Sequence, residues 1–238
     1  MKNSKAGWIF LGICLFLGMS SLGYLLGDAA IRFKEYERTV TVKGLSEREY
    51  KADIVIWPIQ FTAASNDLTE MYRSIDRSTE KIRAFIKSAG IPDAEISFSS
   101  PAITDKLAQQ YGDQSRAEFR YTASQIVTVY SGDIDTVRTL MGKLSELGKQ
   151  GIVFSGGNYQ AQTEYIFSRL NEVKPGMIEE ATRAAREVAQ KFAADSESRL
   201  GKIRSASQGQ FSISERDKNN PHIKKVRVVS TVAYYLSD

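Results

Sequence analysis

From Ala6 to Gly27 the chain runs 22 residues without one charged side chain (AGWIFLGICLFLGMSSLGYLLG), and Asp28 ends the run. As a helix this stretch spans about 33 Å, against a hydrocarbon thickness of roughly 30 Å. Beyond it the pattern changes period repeatedly. Thr39 to Lys43 alternates and stops at Gly44, which predicts a strand. Asp53 to Ala64 (DIVIWPIQFTAA) is rich in β-branched and aromatic residues and predicts a second strand, with Pro58 demanding an edge or a bulge. The two are expected to pair as a hairpin. From Asp67 the apolar positions Leu68, Met71, Ile75, Ile82, Phe85, Ile86 and Ala89 fall at helical spacing. Asn66 or Asp67 caps that helix, and Gly90 with Pro92 stops it.

Glu95 to Leu107 reads as extended and Gln109 to Ala117 as a hairpin tip. Phe119 to Tyr130 is a strand, followed by a helix over Thr136 to Leu147 capped by Asp133, with Val137, Leu140, Met141, Leu144 and Leu147 inward. Ile152–Phe154 and Tyr165–Phe167 are short strand-like runs. A third helix starts near Pro175, which the first helical turn tolerates. Its inner face is Met177, Ala181, Ala184, Ala185, Val188 and Phe192, and the small alanines predict close packing on a sheet. Its wet face carries the i,i+4 pairs Glu179–Arg183 and Glu187–Lys191. After Gly201, Ile203 to Ile213 and Val226 to Leu236 are the last strands. The fold class is therefore α+β: one N-terminal transmembrane helix, then mainly antiparallel sheet of about eight strands with three helices packed on one face.

The leader divides the chain into a cytoplasmic tail (1–5), a transmembrane signal anchor (6–27), a juxtamembrane linker (28–38) and a folded domain (39–238). A cleaved signal peptide is the alternative, but its apolar core is usually about 7–15 residues and a small-residue cleavage site should follow. Gly27-Asp28-Ala29 is a poor one, and Ile13 before Cys14 does not fit a lipobox. Lys2 and Lys5 on a short N-terminal side favour an inner-membrane, single-pass orientation with the N-terminus cytoplasmic and the domain periplasmic or extracellular, although Arg32, Lys34 and Arg38 flank the other end. Trp8 and Tyr24 are the expected membrane-interface anchors. Gly23 and Gly27 form a GxxxG pair suited to helix pairing.

Composition narrows the chemistry. One Cys and one His exclude an intrachain disulfide and a Cys₄ or Cys₂His₂ zinc site. Setting Lys2 and Lys5 aside lowers the net charge from +4 to +2, with both signs interspersed. No basic stripe with interleaved aromatics appears, so nucleic acid is not an expected partner. The basic stretch from Lys218 to Arg227 reads as a solvated loop entering a strand, and His222 within it as an exposed loop histidine. Gly156-Gly157 lacks the lysine of a phosphate loop and reads as a turn. Glu179-Glu180 lies on an outer helix face with no reason for a raised pKa. No catalytic, metal or cofactor-binding residues are nominated, and no cofactor is expected.

The order of several segments resembles the SIMPL domain (DUF541) family, in its bacterial membrane-anchored or periplasmic branch. Val40 to Gly44 and Ala52 to Ile56 resemble its opening V-x-V-x-G…P-D-x-A/V, with Ala52 where the family often has Pro. Ser88 to Ile91 with Glu95-Ile96, the Ala/Arg-rich 181–194 closing on Leu200-Gly-Lys-Ile203, and Val226 to Leu236 resemble its later signatures. The resemblance implies an α+β fold, a bacterial envelope location and large oligomers. It carries no established catalytic residues; some members are linked to oxidative-stress tolerance, and a mammalian relative is a cytosolic adaptor in kinase signalling. The expectation is thus a non-enzymatic, membrane-anchored periplasmic protein that self-assembles through sheet edges and its alanine-faced helix. The alternatives are an envelope binding module for a small ligand, peptide or lipid, and an unrecognised hydrolase.

Overall fold

The computed structural model describes residues 4–35, 38–108, 118–155 and 162–237. In chain order the elements are α1 (Ser4–Glu35), β1 (Thr39–Lys51), β2 (Ile54–Ser65), α2 (Leu68–Ser88), β3 (Ile96–Phe98), β4 (Ala102–Asp105), β5 (Tyr121–Ser131), α3 (Ile134–Gly142), α4 (Ser145–Lys149), β6 (Val153–Phe154), β7 (Glu164–Ile166), α5 (Leu170–Asp195), β8 (Arg199–Gln208), β9 (Ser212–Glu215) and β10 (Ile223–Ser237). The fold is α+β, and among the described residues one helix is long and apolar enough to cross a membrane, Trp8–Ile31 within α1. The expected hairpin tip at 109–117 and the Gly156-Gly157 turn lie outside the described residues.

The chain divides into two compact units, one built from Met1–Glu47, Lys174–Ser212 and Arg227–Asp238, the other from Arg48–Val173 and Ile213–Val226. The second is organised on β2 and β5, which pair antiparallel from Val55↔Ser131 to Ser65↔Tyr121. β3 and β4 extend the sheet beyond β5, and β6 and β7 pair with the other side of β2. Pro58 is explained by that outer side. β7 pairs with Ile54–Ile56 and β6 with Phe61–Thr62, so Pro58 falls in the gap between them, where no ladder needs its missing N–H. Alternate β2 residues Val55, Trp57, Ile59 and Phe61 are buried with Val127 and Val129 of β5. Met71, Ile75, Ile82 and Ile86 of α2, and Val137 and Leu140 of α3, complete that core.

Asp67 caps α2 by accepting the Glu70 amide at 2.8 Å. Asp67→Ala should therefore lower stability by about 1 kcal/mol, read as a shift in the urea midpoint. Asp133 caps α3 in the same manner, its carboxylate held below the ordinary value by hydrogen bonds from the Thr136 hydroxyl and amide. The single helix expected over Thr136–Leu147 is instead two, because Lys143 and Leu144 close i→i+3 bonds to Leu140 and Met141.

The first unit carries the sheet order β1-β10-β8. β1 does not stop at Gly44 and does not form a hairpin with β2, which belongs to the other sheet. Gly44 is in β1 because the α5 backbone lies against it. A Cβ there would overlap the Ala181 carbonyl oxygen and the Ala185 nitrogen, and would come within 2.9 Å of the Ala185 Cβ. α5 accordingly buries a strict i+4 ridge of Met177, Ala181, Ala185, Ala189 and Ala193. Val188 and Phe192, expected inward, are 40% and 57% exposed, since the inner ridge admits only small side chains. The alanine face is thus internal, packed with Val42, Val232 and Tyr234, and is not a surface for another molecule. α5 begins at Leu170, so Pro175 lies inside it rather than in its first turn. Arg183 pairs with Glu179 at 2.7 Å, while Glu180, expected on the wet face, accepts the Ser46 hydroxyl at 2.9 Å. Gly201 lies within β8, where β10 approaches to 3.0 Å of its missing Cβ at the Tyr235 carbonyl oxygen; the long strand expected from Ile203 to Ile213 is split into β8 and β9.

Candidate functional site

The polar residues that the second unit brings together are not ones the sequence nominated. His222 ends the turn before β10 and is 8% exposed, not the exposed loop histidine expected. Its carbonyl accepts the Ala52 amide at 2.8 Å, where the chain passes from β1 to β2. α3 supplies Arg138, whose Nη1 lies 2.9 Å from His222 Nε2. A guanidinium only donates, so Nε2 accepts, the ring is neutral and its hydrogen is on Nδ1. That nitrogen is buried with no hydrogen-bond partner. Tyr165 of β7 tilts against the imidazole with ring centroids 6.0 Å apart, its hydroxyl 3.8 Å from Met141 Sδ. Burial, then the charges of Arg138, Lys51 and Arg216, push the His222 pKa below its ordinary value. Burial likewise raises the Tyr165 phenol, against the opposing pull of Arg138.

The surrounding charges are fixed in pairs. Lys51 is bonded to Asp135, and Arg216 bonds Asp217 at 2.9 Å and Glu49 at 3.7 Å. Asp217 also takes the amides of Asn219 and Asn220, and these contacts, the Arg216 bond first, lower its pKa to about 2. Asp53 accepts the Ser168 hydroxyl at 2.7 Å and its amide at 2.8 Å, with Arg169 at 3.3 Å. Burial opposes ionisation of Asp53, but the Ser168 bonds and Arg169 outweigh it and hold the carboxyl low. Lys224 of the basic stretch is buried and bonds Glu215 at 3.3 Å, so that stretch is not wholly solvated.

This arrangement binds a proton poorly and aims no nucleophile. Among the described residues no hydroxyl or thiol is bonded to His222, and no group of three His, Cys, Asp or Glu could hold a metal ion. A groove of about 310 Å³ beside α3 is lined by Ala89, Asp135, Thr136, Thr139, Leu140 and Lys143. Its lining comes from α3 and the end of α2, with no residue of a sheet strand.

The residues singled out in the leader all lie on α1. Trp8 and Tyr24 are 73% and 77% exposed. Gly23 and Gly27 sit one turn apart with nothing within 4 Å of where a Cβ would stand. Sequence reasoning missed the Arg138–His222 contact because 84 positions separate the partners. The one available signal was the turn Asn219-Asn-Pro-His222 placed immediately before a strand.

A second feature is strand β8. It borders the sheet, pairs only with β10 among the described residues, and is exposed along nearly its whole length. Ile203 is 49% exposed. Its first six residues carry Arg199, Lys202 and Arg204, whereas Ser205 to Gln208 is uncharged.

The family model described as "SIMPL: Protein of unknown function (DUF541)" matches residues 40–232. No curated protein matches the chain.

Proposed function

The chain belongs to the SIMPL (DUF541) family, and from that premise we propose a membrane-anchored, non-enzymatic envelope protein whose folded part self-associates through β8. The N-terminal helix stays in the inner membrane and the folded part faces the periplasm, in a setting of stress tolerance. The exposure of β8 carries this reading. A strand that borders a sheet and leaves both faces open offers a row of backbone donors and acceptors to another strand. The occupant is a second copy of the chain, and charge fixes the register. An antiparallel pairing centred on Ile203 would oppose Lys202 with Arg204. One centred between Ser205 and Ala206 sets Lys202 against Gly209 and Arg204 against Ser207, with no like charges opposed. Anchoring in one plane raises the local concentration of copies and lowers the cost of that encounter.

Sedimentation of the full-length chain in detergent tests the reading. Particles of two or more copies are expected at tens of micromolar, and Ile203→Lys should shift them towards single copies without changing the circular dichroism spectrum. A strict monomer at that concentration, or an oligomer indifferent to Ile203→Lys, would count against association through β8.

A further inference from the structure

We propose that His222 is an acid-released latch, which at neutral pH holds the Asp217–His222 turn onto the junction between β1 and β2 and lets it go when the ring is protonated. His222 is the only histidine of the chain, and the hydrogen bond its ring makes to Arg138 depends on neutrality. Nε2 can accept from Arg138 only while it carries no hydrogen. Protonation makes both ring nitrogens donors, removes that bond and sets an imidazolium against a guanidinium across 2.9 Å.

The other groups facing the ring do not compensate. α3 presents Arg138 and Asp135, the end of β1 presents Lys51, and the segment before the turn presents Arg216. β7 contributes only the Tyr165 ring. Of these, Asp135 is the single carboxylate, and it is already engaged by Lys51. The buried Nδ1 gains nothing on protonation, since it already carries a hydrogen and no acceptor is within reach.

The mechanical consequence follows from the backbone. Asp217 ties the turn together through Asn219 and Asn220, and being so acidic it stays ionised while His222 titrates. The turn therefore moves as one piece. Its attachment to the junction is the Ala52 amide bonded to the His222 carbonyl, next to a buried Ala52. For a histidine whose folded pKa is depressed, the unfolded or opened state binds the extra proton. The latch is accordingly fully closed above the ordinary histidine value of about 6.5 and weakens as pH falls towards the lower folded value.

The test uses the full-length chain in detergent. One histidine gives one imidazole resonance set, so its titration is read directly by NMR, and the protection factor of the Ala52 amide is read by hydrogen exchange. The His222 midpoint is expected below 6.5, with Ala52 protection about tenfold lower at pH 5.0 than at 7.5 after correction for intrinsic exchange. His222→Gln, whose amide oxygen can still accept from Arg138, should abolish the pH step. Should that variant misfold, Arg138→Met should move the His222 midpoint towards 6.5. A wild-type midpoint at or above 6.5, equal Ala52 protection at both pH values, or a pH step that survives in His222→Gln would overturn the latch.

Discussion

Gly44→Ala is expected to destabilise the protein by about 3 kcal/mol, the upper part of the range for an overpacked site. The added methyl group would overlap the carbonyl oxygen of Ala181 and the backbone nitrogen of Ala185. These are main-chain atoms within one helix, so no rotamer change relieves the overlap. Either β1 or α5 must move, and with it the contacts of Val42, Ala185 and Ala189. Urea unfolding of the full-length chain in detergent, followed by circular dichroism, measures the effect. Gly148→Ala is the matched control: it lies in helix α4 with nothing within 4 Å of its missing Cβ, and should be neutral or mildly stabilising. A Gly44→Ala midpoint equal to that of Gly148→Ala would mean the two backbones are farther apart than described.

Phe61→Ala should cost about 3–5 kcal/mol. Phe61 is fully buried on β2, between the ladders to β5 and β6. Its removal leaves a cavity bounded by paired strands, which cannot collapse without breaking their hydrogen bonds. Phe192→Ala is the contrast. It deletes the same side chain from the exposed flank of α5, and should stay within about 0.5 kcal/mol. Comparable losses at both positions would place Phe192 in a contact that the isolated chain does not show.

The elements that could be read from the sequence are those fixed by local chemistry. The α2 span follows from the period of Met71, Ile75, Ile82 and Ile86 and from the Asp67 cap, both contained within one stretch. The buried alternation of β2 is legible for the same reason. What escaped depends on partners far away in the chain. Gly44 looks like a terminator in sequence, and only the approach of α5 shows why β1 runs through it. Val188 and Phe192 satisfy a helical apolar stripe, but close packing against β1 selects the alanine ridge and turns them outward. β1 and β2 are consecutive and both extended, yet β1 pairs with β10 at the far end of the chain. His222 resembles any loop histidine until Arg138 and the Ala52 amide are seen on it.

The position of β10 has a consequence for biosynthesis. It is the middle strand between β1 and β8, yet it follows every other element in the chain. β1 leaves the ribosome early and must wait, unpaired on the side where β10 will insert, while almost two hundred further residues are made. That sheet can be completed only after translation reaches Ser237, whereas the β2–β5 ladder needs no residue beyond Ser131. The half-made chain thus carries an open strand a few residues beyond its apolar N-terminal helix, and this is the interval in which a holdase chaperone would find it.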